Sequence, residues 1–219
     1  MAARVQIQDY GGENVPNEFF RQPGGSSSLA VILPGFGYTS AMPLLYYAGR
    51  LLIDRGCDLL TVNYDYREVS GTLPRHGLEE QLCTDTSQCL SAAYGPHSYP
   101  SVILVGKSLG TMAMAHLLGS QRWPVRASVW LTPILRREDV RRELQRMSHR
   151  AFVSIGTDDA EYDRQLLHEL GQRHGVDVCE IEGAEHSIDI EGDVPGSVAA
   201  VQTVVQRLQA FLERIDATS

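Results

Sequence analysis

Short apolar runs of five or six residues alternate along this chain with longer segments whose apolar positions recur every three or four residues. The first kind reads as strands and the second as helices with one buried side. A side chain returns to the same face every second residue in a strand and about every 3.6 residues in a helix. Residues 29–33 (Leu-Ala-Val-Ile-Leu), 58–63, 101–105 (Ser-Val-Ile-Leu-Val), 126–131 and 151–155 (Ala-Phe-Val-Ser-Ile) are strand-like, and 176–181 alternates as a strand does. Helices are expected over about 41–55, 78–93, 111–118, 136–147, 161–174 and 198–214. The last carries Val201, Val204, Val205, Leu208, Phe211 and Leu212 at helical period, so it should pack on the sheet. Gly56 stands where a left-handed residue would end the first of these helices. An antiparallel edge strand is expected over residues 4–8, followed by a polar, Gly-rich connection through Gly11, Gly24 and Gly25. This alternation predicts a single α/β domain over residues 1–219, with a mostly parallel central sheet covered by helices on both faces.

Between the run 101–105 and the helix-forming run 111–118 lies Gly106-Lys107-Ser108-Leu109-Gly110, a G-x-S-x-G pentapeptide at a strand-to-helix junction. A serine there sits on a sharp, strained turn, and the flanking glycines are needed because a side chain would collide with the neighbouring strand or helix. Ser108 is therefore the candidate nucleophile. A serine hydroxyl is a poor nucleophile until a base takes its proton, so a histidine and an orienting carboxylate should follow. The run 151–155 leads into Gly156-Thr157-Asp158-Asp159, and 176–181 ends in Glu182-Gly183-Ala184-Glu185-His186-Ser187. The order serine, aspartate, histidine is that of the α/β-hydrolase triad. The residue before the nucleophile in such an elbow points away from the hydroxyl, so Lys107 is not read as half of a serine–lysine dyad.

On these residues the chain resembles a small, nearly lidless member of the α/β-hydrolase superfamily, from about Leu29 onward. The resemblance implies an α/β-hydrolase fold with a minimal lid, and an oxyanion hole where Pro34-Gly35-Phe36-Gly37 follows the strand 29–33. Its donors would be the backbone N–H groups of Phe36 and Leu109, each contributing about 3 kcal/mol to transition-state stabilisation. Family spacing puts the triad acid three residues after the glycine that ends its strand. That is Asp159, with Asp158 the alternative; the carboxylate not used would face solvent or cap a helix near Ala160. Many family members insert a lid between the strands that here end at Leu131 and start at Ala151, yet this interval holds one short helix. An open, shallow site follows, lined by Phe36, Tyr38, Met42 and Leu109 on one side and Thr132, Pro133 and Ile134 on the other; Asp65, Arg67 and Glu68 follow a strand's carboxyl end, where such charges are more often a solvated loop or an ion pair than substrate contacts. The expected activity is hydrolysis of a small carboxylic ester through an acyl-enzyme. A thioesterase or peptidase using the same triad, and a non-catalytic binding or scaffold protein on the same fold, are the alternatives.

Composition narrows the partners. The chain is 43% hydrophobic with a formal charge of -8, which argues against phosphate-directed nucleic-acid binding. Its densest basic run (Arg136, Arg137, Arg141, Arg142, Arg146) is interleaved with Glu138, Asp139 and Glu143 and is expected to form ion pairs on a solvated helix face. The amino terminus lacks a signal-like apolar run, and no apolar stretch of about twenty residues occurs. The expectation is a soluble, cytoplasmic protein with no membrane partner. Cys57, Cys83, Cys89 and Cys179 lack zinc or CxxC spacing and are expected to be reduced. No H-E-x-x-H, Walker or dinucleotide pattern appears, so no metal or cofactor is expected, and the anticipated partner is a small-molecule ester or acyl substrate.

Overall fold

The strand-like runs assemble into one sheet. The computed structural model describes residues 2–3, 15–64, 66, 75–95 and 97–218. In chain order the elements are β1 (Ala2–Ala3), β2 (Asn17–Phe20), β3 (Ser28–Leu33), α1 (Pro43–Asp54), β4 (Asp58–Val62), α2 (Arg75–Tyr94), β5 (Ser101–Lys107), α3 (Leu109–Gly119), β6 (Val125–Leu131), α4 (Glu138–Met147), β7 (Ala151–Gly156), α5 (Arg164–His174), β8 (Asp177–Ile181) and α6 (Val194–Ala217). The strands lie in the order β1-β2-β4-β3-β5-β6-β7-β8. β1 and β2 pair antiparallel, as do β2 and β4, and every pairing from β4 through β8 is parallel.

The period-two alternation sorts each strand's side chains onto two cores. Leu29, Val31 and Leu33 of β3 face the same side as Val102 and Leu104 of β5 and Val153 and Ile155 of β7, where α2, α3, α4 and α5 cover them. Ala30, Ile32, Ile103, Val105 and Phe152 face the other side, under α1 and α6. Strands buried on both faces must be apolar at nearly every position, which is why they read as continuous runs. α6 packs through Ala200, Val204, Leu208, Phe211, Leu212 and Ile215, leaving Val201 and Val205 only half-buried. Because β3 through β8 are parallel, their carboxyl ends and the loops that follow open on one edge of the sheet, where ligands bind in open α/β folds.

Three expectations require correction. β2 lies inside the stretch read as a connection. It has four residues, and only Asn17 and Phe19 are buried, too short an alternation for periodicity to register. α5 starts at Arg164 and not 161, because Asp163 caps it by accepting from the Leu166 amide (3.0 Å), while the residues before it form a turn. α6 starts at Val194 and not 198, capped by Asp193 on the Gly196 amide (2.9 Å) with Pro195 in its first turn. Gly56 has φ +81°, as its place after α1 predicted. The strand expected over 4–8, Gly11, and the candidate contacts Asp65, Arg67 and Glu68 lie outside the described residues.

The arginine-rich helix α4 is only partly a solvated face. Glu143 is buried, with Arg146 Nε at 2.6 Å and Arg142 Nε at 3.3 Å, and Arg146 also donates to the Leu118 carbonyl of α3 (2.8 Å). The pairs therefore join α4 to α3 as well as meeting solvent. All four cysteines are free. Burial pushes the Cys57 and Cys83 thiols up to about 11 and Cys89 up to about 12, so none is an activated thiolate. Among the described residues no helix is long and apolar enough to cross a membrane.

Candidate active site

Ser108 occupies the turn between β5 and α3 with φ +49° and ψ -115°, a conformation costly for a residue with a side chain. The neighbouring glycines explain how the turn closes. A Cβ on Gly106 would lie 2.8 Å from the Gly110 carbonyl oxygen, and one on Gly110 would overlap the carbonyl of Leu33 at the end of β3. The Ser108 amide donates to the Leu131 carbonyl (3.1 Å), and its carbonyl accepts from the Thr111 amide (2.8 Å) and hydroxyl (2.6 Å). The elbow is thus fixed from both flanking strands.

The structure brings Ser108, His186 and Asp159 together. His186 Nε2 lies 2.8 Å from Ser108 Oγ, and Nδ1 lies 2.8 Å from Asp159 Oδ2. Such a chain requires the tautomer in which Nδ1–H donates to the carboxylate and Nε2 accepts from the hydroxyl. The Asp159 side chain is 1% exposed and His186 is 43% exposed, so the carboxylate is shielded while the imidazole meets solvent. Asp159 Oδ1 accepts from the Glu161 amide (2.9 Å), which occupies its second oxygen. Asp158, the alternative acid, is exposed and faces solvent beside Thr157.

The acid and base loops are joined to each other. The Asp158 amide donates to the Ala184 carbonyl (3.0 Å), the Gly183 amide to Thr157 Oγ1 (2.8 Å), and the Thr157 amide to the Ile181 carbonyl (2.9 Å). They cross so closely that a Cβ on Gly156 would overlap the Ala184 carbonyl. The histidine loop then closes on itself through the Glu185 amide and the Asp189 carbonyl (2.8 Å).

The turn after β3 packs on the elbow: a Cβ on Gly35 would stand 3.3 Å from both the Lys107 carbonyl oxygen and Ser108 Cβ. The Gly35 amide is engaged by the Tyr38 carbonyl (3.1 Å) and the Ser108 amide by Leu131, so the amides next along, Phe36 and Leu109, are the candidate oxyanion donors. Of the expected lining, Phe36 and Met42 are exposed and Tyr38, Leu109 and Ile134 are half-buried. Thr132 and Pro133 are buried, and the Thr132 hydroxyl is engaged by Lys107.

Lys107 is 1% exposed. Its Nζ donates to Thr132 Oγ1 (2.9 Å) and to the main-chain carbonyl of His186 (3.0 Å), and sits 4.4 Å from the centre of the Tyr38 ring. It points away from Ser108 Oγ, as expected of its place in the elbow. Its destination was not readable from sequence; the only signal was a lysine closing an otherwise apolar strand. Burial draws its ammonium down to about 8, against the opposing pull of Asp159 and Asp189. Among the described residues no group of three or more His, Cys, Asp or Glu side chains is arranged to hold a metal ion.

Solved structures with the same architecture exist at low sequence identity. An α/β serine hydrolase without a lid from Xanthomonas campestris superposes with a TM-score of 0.64 at 14% identity, covering 94% of each chain. An esterase of Pyrococcus furiosus gives 0.70 at 14%, covering 98% of this chain and 92% of its own. Esterase 2 of Thermogutta terrifontis, described as phosphorylated by paraoxon, gives 0.68 at 15%, covering 98% and 94%. No protein-family model and no curated protein matches the chain. The chain has the α/β-hydrolase fold.

Proposed function

We propose that this protein is a serine hydrolase that cleaves a small carboxylic ester. The observation that carries the reading is the unbroken chain from a buried Asp159 carboxylate through His186 to the strained Ser108 hydroxyl, with 2.8 Å at each link. Ser108 Oγ attacks the ester carbonyl as its proton passes to His186 Nε2, and Asp159 stabilises the imidazolium that forms. The Phe36 and Leu109 amides hold the oxyanion of the tetrahedral intermediate. As that intermediate collapses, His186 returns the proton to the leaving alkoxide and the acyl group stays on Ser108. Water, deprotonated by the same imidazole, then releases the acid. The interval between β6 and β7, which holds little beyond the short helix α4, supports an open site and hence a small substrate. Thioesters and amides are open to the same steps.

Labelling with a fluorophosphonate tests the reading, since attack on phosphorus needs the same activated hydroxyl. Native protein should be labelled stoichiometrically at Ser108, with Ser108→Ala unlabelled and His186→Ala slowed by several orders of magnitude, on the order of 10³-fold or more. Folded native protein that takes no label would refute the hydrolase reading and favour a binding role. Esters, thioesters and amides of graded chain length then rank the substrate class.

A further inference from the structure

A charged side chain that is 1% exposed needs partners, and those of Lys107 are informative. Its ammonium receives the main-chain carbonyl of the same histidine whose ring contacts Ser108, from a loop 79 residues further along the chain. Its second acceptor, Thr132 Oγ1, belongs to a β-branched residue at φ +42°, an unfavourable backbone for such a side chain. That strained residue is itself fixed, through its amide, to the Ser154 carbonyl of β7 (2.7 Å). The groups facing the ammonium come from four loops at this edge: Tyr38 after β3, Thr132 after β6, Asp159 after β7, and His186 and Asp189 after β8.

We propose that Lys107 is a positioning residue for His186: its ammonium anchors the backbone of the histidine loop to the ends of β5 and β6, and so keeps Nε2 on the Ser108 hydroxyl. The inference rests on the serine-hydrolase reading. One consequence separates it from simple stabilisation. Loss of the anchor displaces the base without touching the substrate surface, so kcat falls while KM stays.

The test is ester hydrolysis by native protein, Lys107→Met, Thr132→Val and the double variant, with fluorophosphonate labelling in parallel. Lys107→Met keeps the length of the stem and loses the charge. It should lower kcat on the order of 10- to 100-fold and leave KM within about threefold. Thr132→Val should lower kcat in the same sense but less, and the double variant should be no worse than Lys107→Met alone, because both remove one anchor. A folded Lys107→Met protein with native kcat overturns the proposal, as do additive losses in the double variant. Should Lys107→Met fail to fold, Thr132→Val decides: reduced kcat at constant KM supports the anchor and native kcat overturns it. Native protein that neither turns over nor labels overturns both readings, whereas active native protein with unaffected variants removes this one alone.

Discussion

Lys107→Met should alter how stability depends on pH, by an amount that follows from the burial of its ammonium. Folding brings the group from 10.5 down to about 8. Below about pH 8 both folded and unfolded chains carry the proton, and the fold bears the whole penalty of the buried charge, about 3 kcal/mol at ~1.4 kcal/mol per pH unit. Between about pH 8 and 10.5 the unfolded chain holds a proton that the folded protein has released, so native stability rises with pH through this window. About 2.5 kcal/mol of the penalty is relieved between pH 7 and pH 10. Methionine does not titrate. The unfolding free energy of native protein minus that of the variant should therefore grow by about 2.5 kcal/mol over that range. Hydrogen bonds lost at Thr132 and His186 shift the difference equally at every pH. Tyr64, Tyr66 and Tyr99, whose hydroxyls are raised by burial, destabilise both proteins in alkali and cancel. Urea unfolding at pH 7, 8, 9 and 10 measures the effect: with a slope of about 2 kcal/mol/M, the gap between midpoints should move by about 1 M. A gap that stays constant, or moves the other way, would mean that Lys107 is not a desolvated ammonium in the native protein.

Two further substitutions probe the site. Asp159→Asn should reduce kcat on the order of 10⁴-fold by favouring the wrong imidazole tautomer, while the exposed Asp158→Asn stays within about twofold of native in the same ester assay; similar losses in both would refute the assignment of the acid. Gly156→Ala places a methyl group against the Ala184 carbonyl, so it should destabilise by about 2–4 kcal/mol and slow labelling of Ser108 as the acid and base loops separate, and native stability by thermal unfolding would refute the crossing.

What could be read from the sequence divides along a physical line. β3, β5 and β7 were legible because a strand covered on both faces is apolar throughout, and the elbow because its glycines are required by close backbone approach, Gly106 to Gly110 and Gly110 to Leu33. β2 was not, since four residues held in register by β4 carry almost no pattern of their own. The start of α6 was misplaced for a related reason: Val194 and Val198 are exposed, so the helix's first turn lacks the buried stripe, and only Asp193 and Pro195 announce it. Choosing Asp159 over Asp158 rested on family spacing, and the choice has a geometric basis that no local pattern contains, the closure of the turn at Gly156 onto a loop from β8.

Lys107 falls on the far side of that line, and the backbone around it indicates why the lysine matters. Among the described residues the non-glycine positions with positive φ include two β-branched ones, Thr132 and Ile188, and both sit beside the histidine loop. Left-handed backbone at such residues costs on the order of 1–3 kcal/mol each and persists only where the surroundings determine it more than once. Thr132 is held by its amide on Ser154 and its hydroxyl on Lys107; Ile188 is fully buried with its amide on the Glu185 carbonyl (2.9 Å). Add Ser108 itself, and two strained residues, Ser108 and Thr132, are joined through His186 and Lys107, with the third, Ile188, two residues beyond His186. Local rules are broken where β5, β6 and β8 must present their ends to a single imidazole, and the buried ammonium at the end of β5 is bonded to residues that follow both of the others.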